Sequence, residues 1–235
     1  QVNMQAGNGS NAAFGNITFV DSGTVNIQTS VDTDADGELL IDGSTDGAVG
    51  GALSITSKTG DITQGQALTV TETSTFRTLL SGKDINLNLA NALGGVVTLS
   101  TSGTGGDATL DNGTTKLDMA ASSVGGNLSL KTGHASGIIN TNGTIAVGVN
   151  LTLVTDDNSG VINMPNLSVN DTIALTTHNA AGDAGHATIV NTRVVKLAAS
   201  TVDGNLNVTA TTGDISQTGA LDIEGTTTLL TSAEA

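Results

Sequence analysis

A seven-residue phrase occurs three times in this chain. Val49-Gly50-Gly51-Ala52-Leu53-Ser54-Ile55, Val124-Gly125-Gly126-Asn127-Leu128-Ser129-Leu130 and Val202-Asp203-Gly204-Asn205-Leu206-Asn207-Val208 lie 75 and 78 residues apart. The first and third continue in step. "TGDITQGQALTV" from Thr59 matches "TGDISQTGALDI" from Thr212, so that Gly60, Asp61, Ile62, Gln64, Ala67 and Leu68 recur as Gly213, Asp214, Ile215, Gln217, Ala220 and Leu221. Likewise "GDATLDNGTTKLDMAASS" from Gly106 is similar to "GHATIVNTRVVKLAAST" from Gly185. Self-similarity of this kind confines a chain to folds in which one unit stacks on the next. Residues 1–235 therefore read as a single array with repeats starting near 49, 124 and 202, forming part of, or a subunit in, a longer rod.

Within the long repeat runs a shorter beat. Apolar residues recur at i and i+2, as in Leu53/Ile55, Leu68/Val70, Ile85/Leu87, Val97/Leu99, Leu128/Leu130, Leu151/Leu153, Ile173/Leu175 and Leu206/Val208. Period two means strands with one buried face. The strands are short and punctuated by Gly, Asn and Asp, which tolerate turn conformations. Leu128, Leu151 and Ile173 begin similar strands 23 and 22 residues apart, which sets the length of one coil. The expectation is an all-β parallel β-helix (β-solenoid) of about ten coils with about three strands each, roughly 50 Å long at the usual strand spacing. No window carries a capped i, i+3, i+4 helical pattern. Asn16, Asn127, Asn150, Asn166 and Asn205 each precede the first apolar residue of a strand. They could bond to one another up the stack or serve only as good turn residues.

Composition fits a narrow, repetitive interior. The chain has no Cys, Trp or Tyr, three Phe and one Pro, Pro165, so its core must be filled by Val, Ile, Leu and Ala. The net charge is −15, which repels nucleic-acid phosphates and anionic lipid. Without Cys there are neither disulfides nor thiolate metal sites. No apolar run approaches the length of a membrane span. No signal peptide is visible and Gln1 is not an initiator Met, so the chain reads as a mature product or a piece of a longer one.

Few residues suggest chemistry. Asp32, Asp34, Asp36 and Gly37 have the alternation that opens a calcium loop. An EF-hand needs an acid at loop position twelve, which here is Gly43, so a looser calcium turn and a solvated acidic turn are the two readings. The related turn in "TSGTGGDATL" lacks the three acids, so the architecture does not depend on the metal. His178, Asp183 and His186 have a spacing that could surround a metal, or could be exposed turn residues. The threonine rows Thr71/Thr73/Thr75 and Thr226/Thr227/Thr228 could present a flat hydroxyl surface, or be ordinary exposed strand residues. For catalysis there is no G-x-S-x-G elbow or triad order, and the seven basic residues, Lys58, Arg77, Lys83, Lys116, Lys131, Arg193 and Lys196, are scattered. No catalytic residue and no cofactor are expected, calcium excepted.

"VGGNLSL", "TGDITQGQALTVTETSTF", "KDINLNL" and "GGVVTLS" resemble the β-strand repeats of giant bacterial surface exoproteins, the filamentous-haemagglutinin-like adhesins. The resemblance covers nearly the whole chain from about Asn16. It implies a right-handed parallel β-helix, exported and displayed at a bacterial cell surface or released, acting as stalk, adhesin shaft or fibre subunit. The family's repeat shafts carry no catalytic residues to transfer. Its N-terminal secretion domain is not recognisable here. The expected function is a structural extracellular module that is not an enzyme and whose partners are itself or adjoining repeats, end to end. The competing readings are a glycan- or host-protein-binding face, calcium-assisted, and a polysaccharide-acting enzyme on the same scaffold.

Overall fold

The computed structural model describes residues 2–4, 17–23, 25–28, 38–41, 48–155, 160–178 and 185–232. Among these residues all secondary structure is strand or turn, and every strand pair is parallel. The strands form a 13-stranded sheet, a 10-stranded sheet and a short 3-stranded one. The chain passes from sheet to sheet and returns one layer further along: it is a β-solenoid. In the 10-stranded sheet, successive strands opening at Leu53, Ser74, Val96, Leu117, Ile138, Ile162, Ala187, Leu206 and Thr227 mark eight complete turns. Ten strands at about 4.8 Å give a stack on the order of 45 Å long.

The coil period read from the sequence is a matter of register. Leu128 pairs with Leu151, and Leu151 with Ile173. Extended in both directions, this column runs Ile62, Ile85, Ala108, Leu128, Leu151, Ile173, Leu197. A second column, Leu87, Leu110, Leu130, Leu153, Leu175, lies two residues along. All of these side chains are buried. Alternation sends the intervening residues outward, where Asn86, Thr109, Ser129 and Thr152 form a small polar row. The buried aliphatic residues form one continuous core, with Phe76 as its largest wholly buried side chain.

Two features depart from a uniform coil. The strand Glu38–Ile41 follows Val25–Gln28 in the chain, yet lies on its far side in the 13-stranded sheet, between it and Val2–Met4. Regular winding begins near Leu53, and eight complete turns stand where about ten coils were expected. The number of strands per turn also varies. Thr69–Val70 and Ala92–Leu93 give the early turns a third strand. In the next turn its place is taken by the bend around Asn112 to Lys116, where Gly113 has φ 53°. Leu93 N–H, which would have continued the third sheet, donates to Asn112 Oδ1 at 2.8 Å. A side chain thus replaces a backbone acceptor, and turns with two main strands follow.

Ser74 occupies an inward position between Leu53 and Val97, and its buried hydroxyl has no partner. A buried unmatched hydroxyl is costly. Ser74→Ala is therefore expected to raise the unfolding free energy by about 1 kcal/mol. Leu151→Ala, which opens a hole in the longest column, should lower it by about 2–5 kcal/mol. Thermal and urea unfolding of the two variants beside the parent chain check both.

Candidate functional site

The most organised polar feature is a ladder at the corner where the chain enters the 13-stranded sheet. Asp61, Asp84, Asp107, Asn127 and Asn150 each sit just before the first inward residue of a strand. Asp84 N–H donates to Asp61 Oδ1 at 3.0 Å, and Asp107 N–H to Asp84 Oδ1 at 2.8 Å. Asn127 sends both its backbone N–H and its Nδ2 to Asp107 Oδ1, at 2.7 and 3.1 Å. Asn150 does the same to Asn127 Oδ1, at 3.3 and 3.0 Å. Thr172 closes the run, with N–H and Oγ1 donating to Asn150 Oδ1 at 3.2 and 2.6 Å. Backbone bonds return in the opposite direction, Ile62 N–H to Asp84 O and Ile85 N–H to Asp107 O. Carboxylates accepting N–H groups make the stronger, charge-assisted kind of bond.

Two glycines make room for this corner. A Cβ on Gly125 would lie 1.9 Å from the Gly103 carbonyl oxygen, and one on Gly126 would lie 2.1 Å from Asp107 Oδ1. The second glycine of the recurring phrase is thus a steric requirement of coil on coil, since a Cβ on Gly204 would likewise lie 2.4 Å from His186 Nδ1, whereas the first is replaced by Asp203 in the third copy.

Inside the wall a second set of amides clamps neighbouring turns. Asn191 Oδ1 accepts Val169 N–H at 2.8 Å, while its Nδ2 donates to Val194 O at 2.9 Å. Asn112, its counterpart in the related stretches from Gly106 and Gly185, treats Leu93 in the same way. Asn91 accepts Leu68 N–H at 2.7 Å. All three side chains are buried, where an amide is tolerable only with its partners in place.

The residues singled out in the sequence are dispersed. Asp32, Asp34 and Asp36 lie outside the described residues, as do Asp183 and Asn16. His178 Nδ1 is 3.5 Å from Asp203 Oδ2, whereas His186 Nδ1 accepts Asn205 N–H at 2.9 Å. The two histidines are therefore occupied by different partners, and among the described residues no three His, Asp or Glu side chains gather to hold a metal ion. Of the asparagines read as a ladder, Asn127 and Asn150 belong to one. Asn205 belongs to a separate one at the other sheet, where it accepts Thr226 N–H and Oγ1 at 2.8 and 3.0 Å. Asn166 lies within the strand Ile162–Val169, and it and Asn140 each donate a side-chain Nδ2 to the other's main-chain oxygen. Thr71 and Thr73 are exposed and Thr75 half-exposed, with Thr226, Thr227 and Thr228 exposed on the other turn. Sequence reasoning missed Asp61, Asp84 and Asp107, although their place just before each strand is the signal that marked the asparagines.

With this geometry in hand, comparison with known proteins is informative. Residues 31–100 and 184–235, just over half of the chain, match a family described as repeats of unknown function, DUF5649. The chain belongs to that family. No curated protein and no solved structure matches it. The two DUF5649 segments hold the strands Leu53–Ser57 and Leu206–Ala210, both in the 10-stranded sheet. Leu128–Lys131, launched by the same phrase, lies between the segments and belongs to the 13-stranded sheet.

Asn127→Ala removes the rung to Asn150 and the Nδ2 half of the rung to Asp107 and should cost about 1–3 kcal/mol, and Gly125→Ala should cost about as much by overpacking. Both are read as lowered melting temperature with parallel β circular dichroism retained before the transition.

Proposed function

We propose that this chain is a structural repeat module of a bacterial surface or secreted filamentous protein, a length of shaft outside the cell and not an enzyme. The observation that carries the reading is the parallel stack, in which backbone bonds and core columns join each described turn to the next, with local register shifts in the 10-stranded sheet. A solenoid so joined transmits length and stiffness along one axis. The likeness of its motifs to filamentous-haemagglutinin-like exoproteins supports the extracellular setting. The charge of −15 argues against nucleic acid or anionic lipid as partner.

The partner this reading calls for is another coil of the same kind, stacked end to end. Repeat alignment places Leu229 where Phe76 stands, because Thr212 corresponds to Thr59. Phe76 pairs with Ile55 on one side and Leu99 on the other, and is wholly buried. Leu229 pairs with Val208 on one side alone and is 52% exposed. Ile215, Leu221 and Ile223 are only partly covered, whereas their counterparts Ile62, Leu68 and Val70 are buried. Among the described residues the strand Thr227–Thr231 pairs along one edge only, with Leu206–Ala210, and its other edge is a template for a further strand. In a solution of the 235-residue chain, a second copy supplies that layer.

Sedimentation velocity from micromolar to millimolar concentration tests this. The parent chain is expected to lengthen into oligomers as concentration rises, and Leu229→Lys, which places a charge on the open layer, to remain monomeric with an unchanged melting temperature. A parent chain that stays monomeric throughout would refute end-to-end assembly.

A further inference from the structure

Where three successive turns stack beside the exit from the 10-stranded sheet, Ser168, Asn170, Thr192, Arg193, Val194 and Thr212 line an open groove of about 400 Å³, a size within the range of small-ligand sites. Arg193 differs from four of the five lysines of this chain. Lys83, Lys116, Lys131 and Lys196 each stand 3.0–3.8 Å from an aspartate oxygen. Among the described residues Arg193 has instead a neutral partner, its Nε donating to Ser168 Oγ at 3.1 Å. That bond fixes one edge of the guanidinium and leaves its two terminal nitrogens as a planar fork, the geometry that matches a carboxylate. Asp171, next to Asn170, is paired with Lys196 at 3.0 Å and is not among the residues that line the groove.

The rest of the lining offers hydroxyl chemistry. Asn170 Nδ2 is committed to Gly148 O at 3.3 Å, which leaves Oδ1 to accept. Thr192 Oγ1 donates to Leu167 O at 3.1 Å and keeps its lone pairs. Thr212 is exposed beside them, and Val194, 39% exposed, gives a small apolar floor. A planar anion site, three closely spaced hydroxyl-matching groups and one apolar patch suit a sugar acid: carboxylate on Arg193, ring hydroxyls on Asn170, Thr192 and Thr212, ring C–H face on Val194. We propose that this groove binds a single uronic-acid unit of a short saccharide, its carboxylate paired locally with Arg193 against a net charge of −15 that disfavours long polyanions. This is independent of the shaft role. With no aromatic ring to stack on the sugar, binding of one site is weak, in the high-micromolar to millimolar range, and gains strength only where many sites act together.

Isothermal titration of the full chain with a galacturonic-acid trisaccharide tests the proposal. Binding is expected for the parent, reduced at least about tenfold by Arg193→Gln and to a similar extent by methyl-esterifying the sugar carboxylates. Arg77→Gln, which alters another exposed arginine, is expected to leave binding unchanged, and both variants to melt with the parent. Absence of heat with the parent chain, equal binding by Arg193→Gln, or an equal loss with Arg77→Gln would overturn the site. An aspartate-rich peptide binding through Arg193 as tightly as the trisaccharide would overturn the saccharide assignment.

Discussion

The structure depends on parallel registration of one turn with the next. A parallel strand can satisfy its backbone only through a neighbour displaced along the axis, so each turn is incomplete until another lies on it. Once that registration exists, like side chains fall over like, and the interior becomes columns of Leu, Ile, Val and Ala in place of a three-dimensional puzzle. This is how 235 residues with only three phenylalanines and no tryptophan or tyrosine fill a core. Small residues suffice because each has a neighbour of similar shape one strand spacing above and below.

Registration also explains how polar groups come to be buried. A solenoid must turn corners, and at a corner the backbone ladder cannot always close. Asn112 and Asn191 take over there, offering a side-chain oxygen to the N–H that would otherwise be stranded. Thr101 and Thr155 do related service inside their turns, donating to Gly106 O and Gly160 O at 2.9 and 2.7 Å. The outer Asp61-to-Thr172 ladder repeats the idea at the surface. Aspartate and asparagine share its acceptor role, and only asparagine adds a donor, which is why the rungs at Asn127 and Asn150 are double.

Much of this was legible in the chain. Period-two alternation and the spacing of Leu128, Leu151 and Ile173 follow from geometry that every parallel coil must obey, and they locate both strand and layer. The recurring phrase was less informative about place, because its second glycine solves a local problem, the close approach of Gly126 to Asp107 and of Gly204 to His186, that arises at entry to either sheet. Hence Leu53 and Leu206 lead into one sheet and Leu128 into the other. The back-step of Glu38–Ile41 had no sequence signature, since a strand that pairs on the far side of its predecessor has the same alternation as one that advances. The Arg193 groove was equally hidden, for it is made by three turns remote in sequence, and its arginine was one of seven scattered cations.

The corner ladder has a direction. From Asp61 to Thr172 every rung places the side-chain oxygen of the earlier turn against the N–H of the later one, and none is reversed. The ladder is therefore vectorial: along it each side-chain oxygen faces the later turn, while backbone bonds such as Ile62 N–H to Asp84 O run the other way. A turn laid into this ladder upside down would set acceptor against acceptor, so every turn that carries the thread must share one polarity, as a screw accepts a nut from either end but advances in a single sense.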